Sequence, residues 1–253
     1  MSSNQSLTEN PAKCSKTSRR ELLETLAATG AVAAIGLGAT APALAAAPEA
    51  GPDNTLTPEQ ALKEVMDGNA RFVAGAPTAH LKDLAIIKAR AAEGQWPVVG
   101  VLSCADSRVP VEMVFDEPIG RLFVTRVAGN ITTPEIIASL EYGVAVLGIK
   151  AVVVMGHSSC GAVKAAIENP EVPGQISALF PALLPAVYMS ASSDPMVVTR
   201  QNAVIQAATL INSSPVVEAK VKAGELKVVP AVYDVATGRV EMLPIPPAMR
   251  VGK

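Results

Sequence analysis

The stretch Ala151-Val152-Val153-Val154-Met155-Gly156-His157-Ser158-Ser159-Cys160-Gly161 decides the fold. Its first half is a short, Val-rich apolar run. A run of that length and composition suits a strand buried on both faces, as in a parallel sheet. Gly156-His157 stops it, and a helix is expected from Ser159 or Cys160 to about Pro170. Strand, tight turn and helix make one βα unit.

Working outward, Val98 to Leu102 is a second buried run, bounded by Pro97 and by Cys104-Ala105-Asp106-Ser107-Arg108. Leu122 to Val127 reads as a third strand. Thr133-Pro134-Glu135 opens a helix running through Leu140, Tyr142 and Val146 to Gly148. Upstream, Thr57-Pro58-Glu59-Gln60 is a helix start, with Thr as N-cap, Pro at the first turn and Gln three residues after the cap. Leu62, Val65, Met66, Phe72 and Val73 then recur at helical spacing until a turn at Gly75-Ala76-Pro77. A second helical stretch, Leu81 to Glu93, ends at Gly94. Downstream, Ile176 to Ala223 is rich in helix and broken by Pro181, Pro185 and Pro195. Leu226 to Tyr233 and Arg239 to Leu243 are closing strands around the turn Ala236-Thr237-Gly238. Strands alternating with helices predict one α/β domain, a mostly parallel β-sheet flanked by helices, preceded by an N-terminal helical arm.

The first residues differ in kind. Ser18-Arg19-Arg20-Glu21-Leu22-Leu23 is a twin-arginine string, and a weakly apolar run follows from Leu26 to Leu44. Ala43-Leu44-Ala45 is a small-residue cleavage site. Residues 1–45 are therefore expected to be an export signal of the twin-arginine type, 46–56 a linker and 57–253 the catalytic domain. Gly30, Gly36 and Gly38 make the apolar run a poor membrane anchor, so no stable span is expected after cleavage. The expected location is the periplasm, with the thylakoid lumen or the extracellular space as alternatives. A net charge of -2 and no basic stripe exclude nucleic acid as a partner. Three cysteines are too few for a disulfide scaffold, and Cys14 would leave with the signal. The two that remain, Cys104 and Cys160, would work in an oxidising compartment, where free thiols pair and metal-bound thiolates are protected.

Cys104 follows one strand at its carboxyl end, and His157 and Cys160 follow another. Sites in open α/β sheets form at those ends, so both motifs can deliver ligands to one point. Two thiolates and one imidazole are one ligand short of a closed zinc site. A zinc held by three protein groups keeps a position for water, the arrangement of a catalytic metal. Two thiolates weaken the metal's pull on that water, which predicts an alkaline optimum. Asp106 is close enough to Cys104 to reach the metal or its water. A guanidinium can hold a carboxylate bidentately, so Arg108 would keep Asp106 ionised and off the metal. Taken singly, each piece is bland: a buried cysteine is a small hydrophobe, and Asp-x-Arg is an ordinary surface pair. The joint pattern after two buried strands is what points to a metal. His80, in a polar connection, reads as a surface histidine.

Cys104-Ala105-Asp106-Ser107-Arg108-Val109-Pro110 and Gly156-His157-Ser158-Ser159-Cys160-Gly161 resemble the two signatures of β-class carbonic anhydrases. The resemblance extends to Gly68-Asn69-Ala70-Arg71-Phe72, to Leu122 through Asn130, to Glu141-Tyr142-Gly143, and to Gly224-Glu225-Leu226-Lys227-Val228-Val229 with Tyr233-Asp234. It implies one zinc ion per subunit, held by Cys104, His157 and Cys160, and reversible hydration of carbon dioxide to bicarbonate by a zinc-bound hydroxide. Asp106 and Arg108 would be the catalytic dyad. Gln95, Phe123, Tyr142 and Gly161 would contact substrate, and Gln95, Phe123 and Tyr142 would serve a neighbouring subunit's zinc in a dimer or tetramer. Val101 stands where the bicarbonate-inhibited bacterial subtype carries Trp, and Val127 where an Asn is usual. Two other readings compete. One is hydrolysis of carbonyl sulfide or carbon disulfide on the same fold. The other is a non-catalytic assembly protein keeping zinc for structure, which would need neither Asp106 nor Arg108.

Overall fold

The computed structural model describes residues 55–79, 83–92 and 94–249. The expected export signal with Cys14, the linker as far as Asn54, and His80 lie outside the described residues.

The chain begins with helix α1, Pro58–Val73, and the expected capping box is present. The Thr57 backbone N–H donates to the Gln60 side chain at 2.7 Å, and the Gln60 N–H donates back to the Thr57 hydroxyl at 3.2 Å. Helix α2 spans Asp83–Arg90. Strand β1, Val99–Ser103, leads through the short helix α3, Val111–Val114, to β2, Leu122–Arg126. Helix α4, Pro134–Ala145, returns the chain to β3, Ala151–His157, and α5 follows as Gly161–Glu168. Three helices come next: α6, Phe180–Ser190; α7, Pro195–Ser213; and α8, Pro215–Lys222. Strands β4, Lys227–Tyr233, and β5, Val240–Met242, complete the sheet.

Pro185 does not break α6, contrary to expectation. Both Pro185 and Pro181, whose carbonyl loses its partner, face solvent, while Leu183 and Ala186 are buried beneath them. Water can serve the orphan carbonyl, and the packed face holds the helix.

The sheet order is β2-β1-β3-β4-β5, parallel throughout except for β5. Every residue of β1 and β3 is buried. Their side chains divide between two cores by the two-residue period of a strand. Val99, Val101, Val153 and Met155 join α1, with Ala61 and Val65, on one face. Leu102, Val152 and Val154 join Leu140 of α4 and Leu210 of α7 on the other.

The order also fixes the site. From β1 the chain moves outward to β2, then crosses back to β3 on the opposite side of β1. That reversal opens a crevice between the carboxyl ends of β1 and β3, where ligands of such sheets bind. Ser103 is the register partner of Met155, so Cys104 and His157 emerge from the same edge.

Candidate metal centre

Cys104 is the first residue beyond β1, and His157 is the last of β3. Ser159, at φ 58°, turns the chain through the left-handed region, and Cys160 becomes the N-cap of α5. This sharp turn lets two ligands from one strand end face the third. The Cys104 and Cys160 sulfurs lie 4.0 Å apart, and one ligand atom from each of Cys104, His157 and Cys160 falls within 4.8 Å of the others. His157 is fully buried, Cys160 is 1% exposed and Cys104 4%.

The donor chemistry fits zinc. The Nδ1 of His157 is 3.0 Å from the Ser158 carbonyl oxygen, which can only accept, so Nδ1 carries the proton. Its Nε2 therefore presents a lone pair, and that atom is buried with no hydrogen-bond partner among the described residues. A buried polar atom left so is costly unless something completes it. Tetrahedral zinc with sulfur at about 2.3 Å places two sulfurs a little under 4 Å apart, close to the separation here. The thiols already differ without a metal. The hydrogen bond shared with Cys160 pulls Cys104 well below an ordinary thiol, aided by His157 and by the Gly129 N–H at 3.3 Å. Cys160 is pushed up by its contact with the Cys104 sulfur and by burial. A cation bound between the two sulfurs would take the place of thiol protons.

Asp106 is held from two directions. Arg108 donates from Nε to Oδ1 at 3.0 Å and from Nη2 to Oδ2 at 2.7 Å, and its backbone N–H reaches Oδ1 at 2.9 Å. The guanidinium holds the Asp106 carboxyl far below the usual carboxylate range. The Arg108 Nη2 also donates to the Ser159 carbonyl at 3.3 Å, tying the two motif loops together. Oδ2 of Asp106 lies 3.8 Å from Nε2 of His157, at the edge of the ligand cluster. Arg126, at the end of β2, braces the same loop, donating to the carbonyls of Cys104 at 2.8 Å and Asp106 at 2.5 Å.

The chain thus brings Cys104, Asp106, Arg108, His157 and Cys160 together. Gly161 opens α5 directly beside them, and a Cβ built there would meet nothing within 4 Å. Gln95, Phe123 and Tyr142 are elsewhere. Gln95 precedes β1 and lies near Ile87, Arg90 and Ile119, at the opposite end of the sheet. Phe123 is in register with Gly100, about 13 Å along the strands from Cys104. Its ring lies 6.3 Å from that of Tyr142, which is 49% exposed.

Two supports escaped the reading of the sequence. Gly129 gives its N–H to the Cys104 sulfur. Ser158, whose carbonyl fixes the His157 tautomer, donates its hydroxyl to Asp234 at 3.1 Å. Asp234 follows β4 and comes to Ser158 only through the fold, so no local pattern announces it.

Residues 98–240 match the carbonic anhydrase family. A carbonic anhydrase of Mycolicibacterium smegmatis is 36% identical over 194 residues, covering 73% of this chain and 93% of the relative. The solved tetrameric β-carbonic anhydrases of Sordaria macrospora superpose with a TM-score of 0.58 at 25% identity, over 63% of this chain and 86% of theirs. The Coccomyxa β-carbonic anhydrase in complex with acetazolamide gives 0.56 at 27%, over 72% and 86%.

Proposed function

The chain belongs to the β-class carbonic anhydrase family, and from that premise we propose that Asp106 and Arg108 drive hydration of carbon dioxide at the Cys104, His157, Cys160 centre. Zinc is the metal that these three residues would hold, and when bound it supplies the Lewis acidity that makes water a nucleophile near neutral pH. The residues supply the rest. Asp106, kept ionised by Arg108, can only accept a hydrogen bond. Its Oδ2, beside His157 Nε2, takes the proton side of the attacking oxygen and leaves a lone pair free for carbon dioxide. Arg108 keeps the carboxylate from swinging onto the ligand cluster. Gly161 leaves room for the linear substrate.

The bidentate clamp carries this reading, because a structural zinc site has no use for it. Replacing Asp106 by Asn tests it. Turnover of carbon dioxide should fall by about 10²- to 10⁴-fold, the range for a lost proton-handling group, while zinc content stays near one per chain. Unchanged turnover would remove Asp106 from the reaction, and no turnover in the zinc-loaded wild type would return the protein to the assembly class.

Gln95, Phe123 and Tyr142 complete the pocket of a second copy, as the tetrameric state of the Sordaria relatives supports. Mixing Cys104→Ser chains with Tyr142→Ala chains should then restore activity, since some pockets would regain both intact halves. No gain on mixing would place these residues outside the site.

A further inference from the structure

Helix α7 carries Thr199, Asn202 and Gln206 at positions that are 0–2% exposed, among buried Val198, Ala203, Ala207 and Leu210. Their spacing is that of a core-facing stripe. Buried amides there cost free energy unless something uses them fully.

Every polar side-chain atom of Asn202 and Gln206 has a partner. Gln206 accepts at Oε1 from the Thr132 N–H at 2.9 Å and hydroxyl at 2.6 Å. It donates from Nε2 to the Ala182 carbonyl at 2.9 Å and to Asn202 Oδ1 at 3.1 Å. Asn202 in turn donates from Nδ2 to the Gly129 carbonyl at 2.9 Å and reaches Asn130 Oδ1 at 3.5 Å. The segment so held is strained. Gly129 sits at φ 77° and Asn130 at φ 45°, two successive left-handed residues. Such a pair persists only where its surroundings determine it. Gly129 is clamped by Asn202 at its carbonyl and meets the Cys104 sulfur with its N–H.

We propose that Asn202, braced by Gln206, is a positioning residue that sets the Gly129 N–H on the Cys104 sulfur. The proposal rests on the zinc reading of the Cys104, His157, Cys160 centre. A hydrogen bond to a thiolate withdraws charge from sulfur and fixes the direction of its lone pairs. Outer partners of this kind tune both the metal's affinity and its electronics.

The test uses the full chain loaded with zinc, and with cobalt(II) as a spectroscopic probe. Three variants are compared with wild type: Asn202→Leu, Gln206→Met and Thr199→Val. Thr199 shares the stripe, but its hydroxyl has no partner among the described residues, so its loss controls for altered core packing. Asn202→Leu and Gln206→Met should each weaken zinc binding about 10- to 100-fold and move the sulfur-to-cobalt charge-transfer band to longer wavelength. Thr199→Val should match wild type in both. If Asn202→Leu does not fold, Gln206→Met, one link further out, carries the same test. Folded variants with the wild-type affinity and band would overturn the proposal alone. A wild-type chain that takes up neither metal would overturn the zinc reading and the proposal with it.

Discussion

Arg126 donates to the Cys104 carbonyl at 2.8 Å and to the Asp106 carbonyl at 2.5 Å, so the end of β2 fixes the loop carrying both a ligand and the carboxylate. Arg126 is itself exposed, so these bonds act by fixing the loop's geometry more than by adding stability. Arg126→Ala should therefore lower both zinc retention and turnover, with turnover down by at least about tenfold. Lys offers a point charge and no fork, so Arg126→Lys should recover little. Zinc content after dialysis and steady-state rates check this, and a fully active Lys variant would contradict it.

Glu117 is a pH-dependent liability within the fold. Burial pushes its carboxyl up to about 7, the Glu64 charge adds to this, and Arg121 and Arg71 offset part. Its folded pKa lies above its unfolded value, so the native state binds the proton more tightly. The stabilisation is complete below the unfolded value of 4.5 and is lost as pH rises through about 7. Glu117→Gln removes that dependence. The variant should equal wild type near pH 4.5 and exceed it at pH 8 by at most about 3 kcal/mol. Denaturant melts at the two pH values measure this, and a gap that is larger at acid pH would reverse the argument.

Gly68 permits the close approach of α1 to the turn after α3. A Cβ placed there would lie 1.7 Å from the Phe115 carbonyl oxygen, which is backbone and cannot move aside cheaply. Gly68→Ala should cost about 3 kcal/mol or more, as overpacking against a fixed group does. Asn69, the next residue, would be displaced as well, and it donates to the carbonyls of Val114 at 2.9 Å and Gly238 at 2.8 Å. Thermal unfolding decides the point, and a shift of under about 2 °C would show that α1 can slide.

Export is a proposal carried by Arg19-Arg20 and Ala43-Leu44-Ala45. The mature protein should begin at Ala46 in the periplasmic fraction. Changing Arg19 and Arg20 to Lys should hold the chain inside the cell. N-terminal mass analysis of both fractions tests it, and an intact N-terminus outside the cell would count against cleavage.

The ligands were legible because a Val-rich run followed at once by His or Cys is a rare conjunction. β1 falls within a residue of its expected bounds, whereas β3 runs two residues past Met155, taking Gly156 and His157 into the strand that they were expected to stop. The Thr57 box and the Gly238 turn were legible for local reasons, a cap and a left-handed residue. Pro185 misled, because a missing N–H ends a helix only where nothing else holds it. Asn202 and Gln206 were silent, since their partners lie more than seventy positions away in sequence for Gly129 and Thr132. Polar residues at core spacing on α7 were the available signal. Gln95 shows a different gap: its place at the far end of β1 follows only from knowing the sheet.

The crossing of the chain between β1 and β3 has a consequence for how the protein is made. Cys104 and His157 become neighbours only after β2 and α4 have been traversed and the central parallel pair has closed. Parallel pairing of distant segments is slow, because a long loop must close before any contact rewards it. A complete set of three ligands therefore exists only once β1 and β3 are paired. A chain carried across a membrane unfolded would have to rebuild that pairing before all three ligands could meet one ion.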